Sequence, residues 1–336
     1  MITEAIAQAI DGYDLTASQA GAVMREIMSG EATGAQIGAY LVALRMKGET
    51  VPEIVGSARV MREFATRIQV DDPMVVDTCG TGGDKAGTFN ISTTAAFVVA
   101  GGGITVAKHG NRSVSSKSGS ADVLMALGVN VEVPPEKVEE HVNSVGIGFL
   151  FAPLFHGAMK HAIGPRREIG VRSIFNILGP LTNPAGASVQ VLGVYDQELT
   201  NTLAQVLVEL GSRHCFVVHG SDGLDEITTT GPTRIAEGKD GSVSTFTLTP
   251  EEVGLPVAKS ADLEGGDAAH NAEITRGVLA GMKGPARDIV LINAAPVFVA
   301  TGRAGSLKEG VRLAEESIDS GSAEDKLHKL VEASNR

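Results

Sequence analysis

Several residues between positions 108 and 122 have side chains that could bind an anionic ligand. This serine-rich segment directly follows an apolar, strand-like run and contains Lys108, Arg112, Asn111, two glycines and a series of serine hydroxyls. Glycine lets the backbone approach a ligand closely, amides and hydroxyls donate to oxygen, and the cations supply charge. A solvated surface loop is the alternative, but loops that follow strands often carry binding sites. We predict that a phosphorylated ligand binds at this segment.

His109 lies within the same segment and could act as a base. Its neighbours Lys108 and Arg112 are both cationic. Like charges disfavour a protonated imidazole, so they should lower its pKa. Packing or ligand contact is therefore the role expected for His109.

A second glycine-rich string, residues 80–84, also follows a predicted strand and is called the glycine loop below. Six residues after it, Asn90 and Ser92 open an apolar helix. The free amides at a helix start attract anions. A tight turn followed by an ordinary helix cap explains the same residues. The string is neither a P-loop nor a GxGxxG motif, but two such loops together favour a ligand with two anionic groups.

Adjacent carboxylates at Asp225 and Glu226 follow the predicted strand 215–219. Oxygen ligands of this kind suit Mg²⁺, which commonly bridges one or two carboxylates to substrate phosphates. An Asp-Gly turn with solvated acids is the alternative.

Farther upstream, Arg166 could bind a carboxylate through two hydrogen bonds, although exposed arginines are common surface charges.

Composition narrows the class of protein. The chain has 336 residues, 43% of them hydrophobic, and a net charge of -12. This acidic balance disfavours nucleic acid and anionic membranes as partners. The most apolar run, 95–107, is short and interrupted by glycine, and the acidic start is unlike a leader, so we expect a cytoplasmic protein. The cysteines, Cys79 and Cys215, lie far apart without CxxC spacing, which favours burial over a disulfide or a zinc site.

The elements that must position these groups change character near residue 70. Residues 1–70 show only helical periodicity, with Thr16 and Thr33 as N-caps, Gly30 and Gly48 as helix ends and Pro52 in a first turn. From residue 71, short β-branched runs alternate with helices, as in a parallel sheet with crossover helices. The predicted strands are 74–78, 104–107, 189–195 and 215–219, and the predicted helices are 92–100, 121–127, 135–145 and 199–210.

The remaining segments complete an α/β prediction. Residues 154–184 read as helical, and we expect them to return to the helical domain. Residues 228–248 alternate Thr, Ser and Val with glycines, which predicts antiparallel edge strands or a β-rich insertion. Further helices are predicted at 272–282, 290–300, 307–318 and 323–333. The predicted architecture is a small all-helical domain over 1–70 and an α/β domain over 71–336 with a central, mostly parallel sheet.

Taken together, the motifs resemble those of the anthranilate phosphoribosyltransferase family of tryptophan biosynthesis. The resemblance runs in order over nearly the whole chain. Its specific strings are the glycine loop, residues 90–93, 108–112, 118–122 and 175–184, and Asp225-Glu226.

The resemblance implies a fold related to pyrimidine nucleoside phosphorylases and a homodimer formed through the helical domain. It also implies Mg²⁺ as cofactor and a reaction in which the amine of anthranilate displaces pyrophosphate from phosphoribosyl pyrophosphate. The donor would be bound by Gly80, Gly83, Asp84, Thr88, Asn90, Ile91, Ser92, Thr93, Lys108, His109, Gly110, Asn111, Arg112, Ser113, Val114, Ser115, Ser116 and Ser120. Anthranilate would contact Gly80, Asn111 and Arg166, and the metal ligands would be Ser92, Asp225 and Glu226.

No acid or base is assigned, because an aromatic amine is neutral near pH 7 and can attack before it loses its proton. Two other functions remain open. A pyrimidine nucleoside phosphorylase would share the fold, although the 108–112 and 176–184 strings match the anthranilate enzymes better. A non-catalytic nucleic-acid-binding relative would need an exposed basic stripe.

Overall fold

Helices alone form the N-terminal part of the molecule: α1 Ile2–Ile10, α2 Ala17–Ser29, α3 Gly34–Lys47 and α4 Val51–Phe64. Thr16 and Thr33 close capping boxes at the starts of α2 and α3, which confirms both predicted caps. Gly30 ends α2 in the left-handed region, at a φ of 80°. The chain thus enters and leaves these helices where its sequence predicts.

The structure, a computed structural model, describes residues 1–84, 86–113 and 117–336. In this part of the chain the strands form one seven-stranded sheet in the order β3-β2-β1-β4-β5-β6-β7. The first five strands pair in parallel, and β6 and β7 add an antiparallel edge. The strands are β1 Val76–Gly80, β2 Val106–Gly110, β3 Ile147–Phe151, β4 Val189–Gly193, β5 His214–Gly220, β6 Thr233–Lys239 and β7 Ser242–Leu248.

Helices cover both faces of this sheet. None of the described helices is both long enough and apolar enough to span a bilayer. The helices that follow α4 are α5 Ile91–Gly101, α6 Ser120–Ala126, α7 Pro135–Val145, α8 Ala152–Phe155, α9 Lys160–Ile169, α10 Phe175–Leu178, α11 Leu199–Glu209, α12 Ala268–Leu279, α13 Pro285–Ala300, α14 Leu307–Asp319 and α15 Ser322–Ser334.

The two faces of the sheet bury separate cores. Val189 and Val191 of β4 face a core that includes α5 and α13, whereas Leu192 faces a core shared with α2, α3 and α4. This division follows from the alternation of side chains along a strand. The second core also takes up side chains of α9 and α10, and α9 contacts α2 and α3. The small helical unit and the sheet are therefore packed through continuous apolar contacts.

The predicted fold class is confirmed, with local errors. The predicted strands 74–78 and 104–107 each begin two residues before β1 and β2, and β3 was not predicted. Lys108 therefore belongs to a strand rather than to a loop, because residues 106–110 pair with β3 in parallel register. The prediction of antiparallel edge strands over 228–248 is confirmed by β6 and β7. Both cysteines are buried, as predicted.

Candidate active site

Glycines at the ends of β1 and β4 make room for Asp225, which follows β5. A Cβ at Gly193 would lie 1.5 Å from the Asp225 carbonyl oxygen, and one at Gly80 would lie 2.5 Å from its Oδ2. In the glycine loop, Gly82 N–H donates to Asp225 Oδ2 at 2.7 Å. The backbone can approach this carboxylate closely only because side chains are missing at these positions.

Glu226 contacts the first turn of α5. Its Oε1 accepts from the Ser92 amide at 3.0 Å, and the Ser92 hydroxyl also contacts it. Burial raises the Glu226 pKa to about 7, aided by Asp84 and opposed by Lys108 and Ser92. Burial also raises the pKa of Asp225 well above its ordinary value, with the charges of Asp84 and Glu226 adding to the effect. Burial and the neighbouring carboxylates thus disfavour the charged forms of Asp225 and Glu226, an effect that a bound cation would relieve.

A buried amide on α13 fixes the chain immediately after these acids. Asn293 Oδ1 accepts from Ile227 N–H at 2.8 Å, and its Nδ2 donates to the Ile227 carbonyl at 2.8 Å. The Asn293 side chain thereby satisfies both polar groups of a buried residue next to Glu226. Sequence reasoning missed this role, since Asn293 lies within an otherwise apolar helical run and belongs to no motif.

Lys108 and Asp77 form the polar interior beneath the site. Lys108 is only 4% exposed and donates its ammonium to the Thr78 carbonyl. Asp77 Oδ1 accepts from His109 N–H at 3.1 Å, and Asp77 Oδ2 accepts from Asn183 Nδ2 at 2.8 Å. Asn183 also donates to the Ala107 carbonyl at 2.8 Å. These contacts fix the end of β2, from which the serine-rich segment continues.

His109 is buried and neutral. Burial, followed by the neighbouring His156 and, more weakly, Lys108, lowers its pKa to about 3. The Nε2 atoms of His109 and His156 lie 3.2 Å apart. The predicted direction of the pKa shift is confirmed, but its main cause is burial rather than like charge. Arg112 plays no part in it, since its exposed guanidinium pairs with Glu132 at 2.6 Å.

The serine-rich segment is described up to Ser113 and again from residue 117. Asn111 is exposed, and its carbonyl accepts from the Ser120 hydroxyl at 3.2 Å. Asp122 Oδ2 accepts from Ser113 N–H at 3.0 Å and from Gly119 N–H at 2.8 Å. Gly110 ends β2 beside Ser120. The predicted site residues Val114, Ser115 and Ser116 lie outside the described residues.

The start of α5 is organised by Asn90. Its Oδ1 accepts from Asn271 Nδ2 at 3.0 Å, and its Nδ2 donates to the Ser118 carbonyl at 3.2 Å. Ile91 and Thr93 are buried, and Ile91 N–H donates to the Phe89 carbonyl at 2.9 Å. Thr88 forms an isolated bridge with Glu264. The structure thus brings the glycine loop, the α5 start and the acid pair to one edge of the sheet.

Arg166 lies on α9, on the side of the helical unit. Its guanidinium lies 4.9 Å from the centre of the Phe175 ring, and burial lowers its pKa. Among the described residues it has no carboxylate partner. A half-buried guanidinium without an acid is suited to an anionic group of a ligand.

The acid cluster fits Mg²⁺ in its chemistry, because carboxylate and hydroxyl oxygens are the ligands this ion prefers. Asp225, Glu226 and Ser92 all present oxygen at the same edge. Within the described ranges, no three His, Cys, Asp or Glu side chains converge closely enough to hold a metal by themselves. Any ion here would need further oxygen ligands from water or from a phosphorylated ligand.

Comparison with known proteins identifies the scaffold. The helical bundle domain model of the glycosyl transferase family matches residues 3–65, and the a/b domain model of the same family matches residues 72–324. The anthranilate phosphoribosyltransferase of Moorella thermoacetica is 59% identical, with 98% of each chain covered. The crystal structure of the Thermus thermophilus enzyme superposes with a TM-score of 0.94 at 46% identity, covering 99% of both chains.

A more distant neighbour carries ligands in its crystal structure. The anthranilate phosphoribosyltransferase of Saccharomyces cerevisiae, in complex with PRPP and Mg, superposes with a TM-score of 0.90 at 28% identity and covers 99% of this chain and 98% of its own. The two domain models and the 59% identity over nearly the full chain together show the family. The chain belongs to the anthranilate phosphoribosyltransferase family.

Proposed function

We propose that this enzyme transfers the phosphoribosyl group of phosphoribosyl pyrophosphate to the amine of anthranilate and releases pyrophosphate. The observation that carries the proposal is the convergence of the glycine loop, the α5 start and the Asp225-Glu226 pair at one sheet edge, with Lys108 beneath them. Amides, a cation and acids that favour Mg²⁺ are the groups that a doubly anionic sugar donor requires.

The chemistry needs no nucleophilic side chain. The amine nitrogen donates its electron pair to C1 of the sugar, the bond from C1 to the pyrophosphate oxygen breaks, and the amine then loses a proton. Charge grows on the departing pyrophosphate, so donors arranged beforehand around it lower the barrier. Asp225, Glu226 and Ser92 would hold Mg²⁺, which would neutralise part of that charge. His109, with a pKa of about 3, is a weak base near pH 7, and we assign it no proton transfer.

Arg166 is the proposed anthranilate contact. Its guanidinium has no acidic partner among the described residues and stacks on Phe175, so it can pair with the carboxylate of an aromatic acid. Losing a charge-assisted pair of hydrogen bonds costs about 1.5–3 kcal/mol, equivalent to about 10–100-fold in affinity. Arg166→Ala should raise the KM for anthranilate by that factor and leave the KM for the donor within about twofold. Arg167→Ala, an exposed neighbour on the same helix, is the matched control.

We further propose a homodimer formed through the helical unit. Along α3, Ala35, Ala39, Val42 and Met46 form an exposed apolar stripe, and Met46 is 83% exposed. Spacings of four, three and four place these side chains on one helix face, and an exposed stripe of this kind marks an interaction surface. Light scattering should report a dimer for the native chain and a monomer for a Val42→Asp, Met46→Asp variant.

The two free, buried cysteines are consistent with the cytoplasm as the proposed location.

The first test of the reaction mixes the purified enzyme with anthranilate, phosphoribosyl pyrophosphate and Mg²⁺ and follows the loss of anthranilate fluorescence. A metal-free sample is the control. Loss that depends on both the donor and the metal supports the proposed transfer. A folded protein that consumes no anthranilate overturns it, and nucleoside phosphorolysis would then be the next activity to measure.

A further inference from the structure

The glycine loop is held from its outer side by an arginine that the sequence analysis did not identify. Arg172 donates from Nη2 to the Gly83 carbonyl. Its guanidinium carbon also lies 3.9 Å from the centre of the Tyr195 ring. Stacking on an aromatic face and hydrogen bonding in the plane use different parts of a guanidinium, so Arg172 can make both contacts at once.

Tyr195 is hydrogen-bonded to the glycine loop through its backbone. Its backbone N–H donates to the Thr81 hydroxyl at 3.1 Å, and Thr81 N–H donates to the Gly193 carbonyl at 2.9 Å. Gly82 N–H meanwhile donates inward to Asp225. The loop is therefore tied to the acid pair on one side and to Arg172 and Tyr195 on the other.

The backbone of Arg172 is anchored to the opposite part of the site. It follows Gly170, the left-handed cap of α9, at a φ of 62°. On its other side, Ser173 N–H donates to Asn176 Oδ1 at 3.0 Å, and the buried Phe175 follows. Since α9 carries Arg166 and Phe175 is the ring under that guanidinium, Arg172 extends from the acceptor side of the site to the donor side.

Glycine is needed on the loop side of this contact. Gly83 has a φ of 77°, in the region that favours glycine. A Cβ there would lie 3.2 Å from Arg172 Nη2. The close approach of the Arg172 guanidinium to the loop therefore depends on glycine at position 83 as well as on Arg172 itself. Within the described residues Arg172 has no acidic partner either, and its guanidinium hydrogen bond goes to the glycine loop.

We propose that Arg172, stacked on Tyr195, is a positioning residue that sets the place of the glycine loop relative to Arg166 and so aligns the phosphoribosyl donor with the aromatic acceptor. The inference rests on the proposed transfer reaction. It assigns Arg172 an indirect role, since the residue acts on the donor through the Gly83 carbonyl and the backbone of the loop.

The test compares four variants with the native enzyme in steady-state assays that vary each substrate separately. Arg172→Met removes the charge and the donor, Arg172→Lys keeps the charge but not the planar group, Tyr195→Leu removes the ring, and Tyr195→Phe is the matched control. We expect Arg172→Met to raise the KM for the donor about tenfold and to lower kcat, with the KM for anthranilate changed less than about twofold. Arg172→Lys should restore little, and Tyr195→Phe should behave like the native enzyme.

A double-mutant cycle separates this role from general destabilisation. If the ring and the guanidinium act as one unit, Arg172→Met combined with Tyr195→Leu should raise the donor KM no more than Arg172→Met alone. Circular dichroism and the melting temperature should be unchanged. A larger effect on the anthranilate KM than on the donor KM would show direct contact with the acceptor and overturn the proposal, as would unchanged kinetics. Inactivity of the native enzyme in the same assay would instead refute the transfer reaction itself.

Discussion

Glu226→Gln should stabilise the metal-free protein at neutral and alkaline pH. Burial is the main reason that the Glu226 pKa rises from 4.5 to about 7 in the folded protein. Each pKa unit corresponds to about 1.4 kcal/mol, so the ionised carboxylate costs the fold about 3–4 kcal/mol at most. Because the side chain is partly exposed, solvent screening lowers the expected gain to about 1–3 kcal/mol. Glutamine keeps an oxygen that can accept from the Ser92 amide.

The sign of the effect depends on pH. The folded state binds the Glu226 proton more tightly than the unfolded state, because the pKa is raised on folding. The native protein should therefore lose stability as pH rises from about 4.5 to about 7, and the loss should then remain constant. The gain from Glu226→Gln should be near zero at about pH 4.5 and largest above about pH 7.

Urea denaturation followed by circular dichroism measures this gain, with a chelator present, at about pH 5 and about pH 8. Glu273→Gln, an exposed acid on α12, is the matched control and should change the midpoint little at either pH. A Glu226→Gln protein no more stable than the native one at about pH 8, or equally stabilised at both pH values, would refute the reasoning.

Three further perturbations test other parts of the site. Gly193→Ala should abolish turnover and lower the melting temperature, since its Cβ would lie 1.5 Å from the Asp225 carbonyl oxygen; a variant with native kinetics would contradict this. Asn293→Ala leaves both polar groups of Ile227 without their side-chain partner and should cost about 2–4 kcal/mol in urea denaturation, whereas a loss below about 0.5 kcal/mol would show that the clamp is unimportant. His109, with a pKa of about 3, should show no titration between about pH 5 and pH 8 in histidine NMR spectra, and a midpoint in that interval would show that it is less buried than the structure indicates.

Much of the fold could be predicted because local signals and tertiary structure agree. Thr16 and Thr33 specify their helix starts through side-chain bonds to backbone three residues on, and such local contacts can be read from sequence. β3 could not be predicted in this way. Its residues 147–151 are buried throughout and lack the alternation that distinguishes a half-buried strand. Lys108 was assigned to a loop for a different reason, because the polar, serine-rich composition of residues 108–122 begins at it.

The candidate site was predictable as a set of motifs but not as an arrangement. The sequence indicates that the glycine loop, Ser92 and Asp225 bind anions or metal, and the topology brings them together because the carboxyl ends of parallel strands meet at one edge. The residues that position them are scattered. Asn293 and Arg172 act from a distant helix and from a short connection, and single residues of such common types carry no motif.

The acid pair shows why the site needs support from so many elements. Asp225 and Glu226 are placed where burial and mutual repulsion raise their pKa values, an arrangement that opposes folding when no cation is bound. Glycine at the ends of β1 and β4, amides from the glycine loop and α5, and the Asn293 clamp all hold these carboxylates in place. A site that only had to fold would place apolar residues here. Glu226→Gln also removes a proposed magnesium ligand, so it should lower magnesium-dependent turnover. Its gain in stability, set against that loss of turnover, would measure how much stability the chain gives up for its chemistry.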